Sequence, residues 1–283
     1  MWYRRMIGMD DNSGTTSGVN SPEWPEETRR RHILVVTLIA VGVSCLAVIL
    51  HEYAHALAHL MAGADSSTIR AMSADPTGSL STTAQGWTAA AGPSFSLVAG
   101  LIVWGVARRL RGAAFQMAFW FYIAAIQNAA GYLVITPFGV GDTATMVERW
   151  GWPTWVQMVM PVIGAAMMFG LAAMVAVDVR ARFQSVRGLR MAVMWPVLWA
   201  TSILVAVSLV LAVLGGYDAD VVFVMVMSMV SVYVAALMCS IFWGRCTFRG
   251  LDRDPGPLWL AVVVAALGVA LWVFHGLVGV TIG

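Results

Sequence analysis

The sequence predicts an all-α fold: a polytopic helical membrane protein with about seven transmembrane helices. Three observations lead there. The composition is 59% hydrophobic and only 11% charged, with a mean hydropathy of +0.77, far too little charge to coat a soluble domain of this length. Apolar stretches recur that are long enough to cross a bilayer core, which takes about 20 helical residues. The basic residues, all of them arginine, gather in alternate connections between those stretches.

Residues 1–28 are polar and rich in Ser, Gly and Pro. With no apolar core they read as a disordered tail rather than a cleavable signal. Spans are then expected at 33–61, 88–107, 113–136, 154–178, 191–214, 219–243 and 257–281, with Gly, Pro and charge at most junctions. Arg4, Arg5, Arg29, Arg30 and Arg31 precede the first span. Arg108, Arg109 and Arg111 follow the second; Arg180, Arg182, Arg187 and Arg190 follow the fourth; Arg245, Arg249 and Arg253 follow the sixth. That puts 15 of 17 arginines on one side, with Arg70 and Arg149 on the other, and predicts a cytoplasmic N-terminus with the C-terminus outside. Trp87, Trp150, Trp152, Trp155, Trp243 and Trp259 fall near span ends, as interfacial anchors do. The net charge of +2 gives no sign of nucleic-acid binding. Cys45, Cys239 and Cys246 have neither metal-type nor disulfide-type spacing.

The first span ends in VILHEYAHALAHL, residues 48–60, which places three histidines and a glutamate in an otherwise apolar run. Ionisable groups there are costly and point to a site. Residues four apart share a helix face, so His51 and His55 can offer imidazole nitrogens to one ion, while Glu52 can reach a water at an open coordination position. His59 continues the face, but three ligands on one straight helix would spread over about 12 Å, so it reads as a supporting residue. His275 stands alone in the last span and reads as a core histidine. A third ligand is expected. Asp142 stands out in ITPFGVGDTATM, where Pro137, Gly139 and Gly141 break the helix. Asp65, Asp75, Glu148, Asp218 and Asp220 remain alternatives.

These motifs resemble the site-2 protease family of intramembrane zinc metalloproteases. HEYAHALAHLMAG is similar to the family's HExxH helix. AAGPSFS, residues 90–96, is similar to its Gly-Pro motif, here Gly92 and Pro93. PFGVGD, residues 137–142, is similar to its Pro-rich segment ending in the aspartate ligand. The resemblance covers roughly residues 33–150. It implies Zn2+ on His51, His55 and Asp142, with Glu52 as the general base. It also implies a three-helix catalytic core at 29–150, with 151–283 adding four spans. Ser96 stands where the family usually carries Asn, Val134 replaces an expected Asn (Asn128 lies further up the span), and Thr143 stands where Gly follows the aspartate. Asn128 or Ser96 is expected to hydrogen-bond the substrate or oxyanion. In the family, the polar link at 63–86 can form β-structure whose edge takes an extended substrate; a flexible loop is the equal alternative.

Ile33 to Leu50 is 18 residues, about 27 Å of helix, against a core about 30 Å thick. His51 is therefore expected near the outer boundary, the reverse of the family's usual cytoplasmic opening. The expected function is an intramembrane or membrane-interface zinc metallopeptidase, using metal-activated water on membrane-protein or membrane-near peptide substrates. The rivals are a metal-binding transporter or sensor and a catalytically inactive scaffold of the same fold.

Overall fold

A computed structural model describes residues 25–215, 217, 222, 223, 226, 236 and 238–283. Most of the expected tail (1–28) and of the expected span at 219–243 lies outside the described residues. Those described contain six helices long and apolar enough to cross a membrane, consistent with an integral membrane protein. In chain order the elements are α1 (Glu26–Met61), β1 (Ser66–Ile69), β2 (Ala74–Thr77), α2 (Thr82–Ala107), α3 (Gly112–Ile135), α4 (Asp142–Arg149), α5 (Thr154–Arg180) and α6 (Val186–Leu189). The π-turn Arg190–Met194 joins α6 to α7 (Trp195–Gly215), and α8 (Leu258–Leu277) and β3 (Val280–Ile282) follow.

Two helices begin earlier than hydropathy predicts. α1 starts at Glu26, where the acidic pair Glu26–Glu27 complements the helix dipole. Its 36 residues run about 54 Å, so its ends extend past a core about 30 Å thick. α2 starts at Thr82 because Ser81 caps it, its hydroxyl accepting from the Ala84 N–H at 3.2 Å. A hydropathy scan passes over this polar first turn.

The mostly helical chain also carries one small sheet. The 63–86 link folds into the β1–β2 hairpin, with Ser66 opposite Thr77 and Ile69 opposite Ala74. The last expected span (257–281) stops at Leu277. Gly279 then turns the chain at φ 76° and β3 pairs antiparallel with β1, giving the order β2-β1-β3. Apolar residues such as Val280 and Ile282 suit a strand as well as a helix end, so hydropathy could not separate the two.

α1 is the central helix, packed against α2, α3, α7 and α8. Small residues set the tightest crossing. A Cβ on Gly42 would collide with the Val264 backbone, and one on Gly268 would collide with the Gly42 carbonyl, the close backbone approach that membrane helices use. α8 also pins the hairpin. The buried Trp272 Nε1–H donates to the Ala71 carbonyl at 3.0 Å, and His275 Nε2 lies 3.4 Å from the Tyr53 hydroxyl on α1. His275 Nδ1 donates to the Leu271 carbonyl at 2.8 Å, in keeping with a core histidine. The hairpin is thereby held over the end of α1 that carries HEYAH.

Candidate metal centre

His51 and His55 lie one helical turn apart in the last third of α1, and both are buried. Their Nε2 atoms are 3.1 Å apart. Asp142 reaches them from a different part of the chain. After α3, Pro137 opens a single 3-10 turn (Thr136–Phe138), and Gly139 and Gly141 take left-handed φ of 72° and 81°, a region open to glycine. That sharp reversal sets Asp142 as the first residue of α4. Its Oδ2 lies 3.0 Å from His51 Nε2 and 3.1 Å from His55 Nε2. The three ligand atoms lie within 4.8 Å of one another, and the triad can hold a metal ion. Desolvation pushes the Asp142 carboxyl up, but the His55 imidazole, helped by His51, outweighs it and holds the group well below the usual carboxylate range.

The residues around the triad fit a metal. Two imidazole nitrogens and one carboxylate oxygen are three of the ligands a catalytic site of this kind uses, with the fourth position left open. Gly92 on α2 supplies the space: a Cβ there would overlap His55 Nε2 and sit 2.6 Å from His51 Nε2. Pro93 follows at a point where α2 loses one intrahelical donor, so the helix has no N–H for the Ala89 carbonyl. Both motif residues therefore lie where α2 meets the triad.

The neighbours divide by role. His55 Nδ1 donates to the Thr88 carbonyl at 2.7 Å. Ser96 and Asn128, expected to hydrogen-bond the substrate or oxyanion, both sit against His51, with Ser96 Oγ 3.0 Å and Asn128 Nδ2 3.2 Å from its Nδ1. The Tyr132 ring stacks on His51, with centroids 5.3 Å apart and planes 9° apart. Its carbonyl accepts from the hydroxyls of Thr136 at 2.9 Å and Thr143 at 2.7 Å. Thr143 thus has work at the position where the resembled family has Gly: it ties the Asp142 turn back to α3. Tyr132, Thr88 and Thr143 were missed as site residues because their contacts join separate helices, which no spacing in the sequence reports.

Glu52 is buried and has no hydrogen-bond partner among the described residues. It lines a cleft of about 310 Å³ together with His55, His59 and Asp142, under the hairpin residues Ser73, Ala74 and Pro76. His59 is held by Ser67 Oγ at 3.0 Å and stands outside the triad. Of the alternative ligands, Asp75 pairs with Arg70 at 3.6 Å, Asp65 and Glu148 are exposed, and Asp218 and Asp220 lie outside the described residues. Nearby, Trp87 meets Trp150 edge-to-face with centroids 4.8 Å apart, and Trp152 lies tilted against Trp150 at 4.9 Å.

No family model, curated protein or solved structure matches the chain. Fold and site define a mostly helical chain, with helices long and apolar enough to cross a membrane, that carries a His51–His55–Asp142 group able to hold a metal ion.

Proposed function

We propose that the protein is a zinc metallopeptidase of the membrane interface, resembling the site-2 proteases, which hydrolyses peptide bonds of membrane proteins or of peptides near the bilayer. One observation carries the reading. Glu52, a buried carboxylate without a hydrogen-bond partner, opens into the same cleft as Asp142 and His55. A purely structural carboxylate would be paired.

His51, His55 and Asp142 would hold the ion. A bound zinc supplies Lewis acidity toward a carbonyl oxygen and lowers the pKa of water. Glu52 takes the proton of the attacking water and returns it to the departing amine, which splits the amide into a carboxylic acid and an amine. The Ala89 carbonyl, freed by Pro93, and the β2 edge border the cleft and suit an extended peptide held by backbone hydrogen bonds. The arginine distribution supports a cell-membrane protein with a cytoplasmic N-terminus and a site facing the opposite side, since α1 runs from Arg31 toward His51.

The test is zinc content and cleavage of membrane-protein substrates by detergent-purified wild type and Glu52→Gln. Bound zinc in both, with cleavage lost only in the variant, supports the reading. A wild type that binds no zinc, or a variant that cleaves as well as wild type, refutes it.

A further inference from the structure

The cleft beside the triad has a charged wall that the metal reading does not use. α4 carries Asp142, Thr145 and Arg149 at i, i+3 and i+7, which places them on one helix face, and all three line the cleft. Asp142 belongs to the triad. Thr145 Oγ1 donates to the Gly141 carbonyl at 3.2 Å and is thereby occupied by its own helix. Arg149 is exposed, and its side chain has no ion pair or hydrogen bond among the described residues. It is the only arginine among the described residues that line the cleft. Arg70, on the hairpin, is matched by Asp75 at 3.6 Å. Of these two arginines, one is answered by an acid and one is not.

The end of α4 that carries Arg149 is held in place. A Cβ on Gly86 would overlap the Trp150 indole, so α2 offers that ring a close seat, and Trp150 Nε1–H donates to the Thr83 carbonyl at 3.4 Å. A cation in the last turn also complements the helix dipole, but it could do so from any face of the turn, and this one faces the cleft. Seven residues of helix separate Arg149 from Asp142, about 10 Å at 1.5 Å per residue. An extended peptide advances about 3.3 Å per residue, so the separation matches about three residues of a chain laid along the cleft. Much of the remaining polar lining is acidic or already bonded. Glu52 and Asp142 are acids, Gln85 Nε2 donates to the Leu80 carbonyl at 3.0 Å, and His59 is held by Ser67.

We propose that Arg149 is a specificity-determining residue of the site. It binds a carboxylate of the substrate, so that the peptide taken up carries an acidic group about three residues from the bond that is cut. A guanidinium suits this task because its forked N–H donors match both oxygens of a carboxylate. That carboxylate has two sources, an Asp or Glu side chain or the free C-terminus of the peptide. Arg149 makes and breaks no bond; it selects and registers the chain. The inference rests on the metallopeptidase reading above and names the substrate class of that site.

The experiment uses quenched fluorescent peptides of one apolar sequence, each with a single Glu, Gln or Lys moved along it and with a free or an amidated C-terminus. Their kcat/KM is measured with the full-length, zinc-loaded protein in neutral detergent, for wild type, Arg149→Gln, Arg149→Lys and Arg149→Glu. Binding of the same sequences, singly labelled, is measured by fluorescence anisotropy on Glu52→Gln with and without Arg149→Gln. Wild type should favour a carboxylate about three residues from the cut by about 3- to 10-fold, the size of one partly exposed charged pair. Arg149→Gln should level that preference, Arg149→Lys should keep part of it, and Arg149→Glu should turn it toward Lys-bearing peptides. A fold defect would not exchange one preference for the other. Glu active in amidated peptides assigns the side-chain source, and a free C-terminus active without Glu assigns the terminal one. A wild type indifferent to both, or a preference kept in Arg149→Gln, overturns the proposal. So does a difference that appears only when anionic lipid vesicles replace the detergent, which gives Arg149 to a lipid phosphate. A zinc-loaded wild type that cleaves none of the peptides overturns the peptidase reading instead; binding to Glu52→Gln then decides the carboxylate preference by itself, and no binding overturns both.

Discussion

Two carboxylates stand at opposite ends of the helical bundle, and their surroundings differ in kind. Asp178, at the arginine-rich end of α5, is buried and paired from several sides. The Tyr122 hydroxyl donates to its Oδ2 at 2.9 Å, Arg108 Nε lies 4.0 Å from its Oδ1, and Arg182 bonds its backbone carbonyl at 3.0 Å while its guanidinium sits 3.3 Å over the Phe115 ring. These partners come from α3, the α2–α3 connection and the segment after α5, so the group clasps three parts of the chain together. Asp142 instead meets two imidazoles at one oxygen and opens to a cleft. The lesson is about satisfaction. A carboxylate held by a fixed hydroxyl donor and a nearby guanidinium is an internal clasp, whereas one that converges with imidazole nitrogens on a shared point leaves a place for a cation.

The sharpest way to break the comparison is to exchange losses. Asp142→Ala should abolish stoichiometric zinc binding, a drop of more than about 100-fold in affinity, while thermal unfolding of the metal-free protein changes little. Metal analysis and a melting curve read both halves. Gly92→Ala should do nearly as much by filling the space beside His55 Nε2 and His51 Nε2; full zinc occupancy in that variant would show that the ion does not sit between α1 and α2.

Asp178→Ala should reverse the pattern. Leaving the Tyr122 hydroxyl unpaired in the interior costs about 1–3 kcal/mol, seen as a lower denaturation midpoint, with zinc content unchanged. Loss of zinc there would mean that the two ends are coupled. The smallest effect is expected from Thr143→Val. It removes the hydroxyl that donates to the Tyr132 carbonyl, at a cost of about 1 kcal/mol, and should weaken zinc binding only severalfold; an unchanged affinity would show that the Asp142 turn holds its place without it.

The same two ends show what the sequence makes legible. HEYAH can be read because both ligands lie on one helix, where i and i+4 share a face. Asp142 can be read because Pro137, Gly139 and Gly141 announce a break in an apolar run. The existence of the five described spans other than the first needed only hydropathy, which misplaced the start of α2 and the end of α8. What stayed hidden depends on how separate helices meet: Gly92 beside two imidazoles, Tyr132 stacked on His51, Ser96 and Asn128 against the same ring, and Tyr122 finding Asp178. The β3 strand stayed hidden for another reason, since a short apolar segment after a helix carries no period that separates strand from helix. The hairpin was half legible, because the resemblance allowed β-structure at 63–86 while the polar Ser/Thr-rich sequence equally suited a flexible loop.

The central claim is that His51, His55 and Asp142 hold one ion. X-ray absorption at the zinc edge, on wild type purified in detergent and reconstituted with one equivalent of zinc, tests it most directly. The account predicts one bound zinc per chain, two imidazole nitrogens at about 2.0–2.1 Å, and loss of that signature in Asp142→Ala. Zinc that fails to bind, or that binds with the same spectrum after Asp142 is removed, would contradict it.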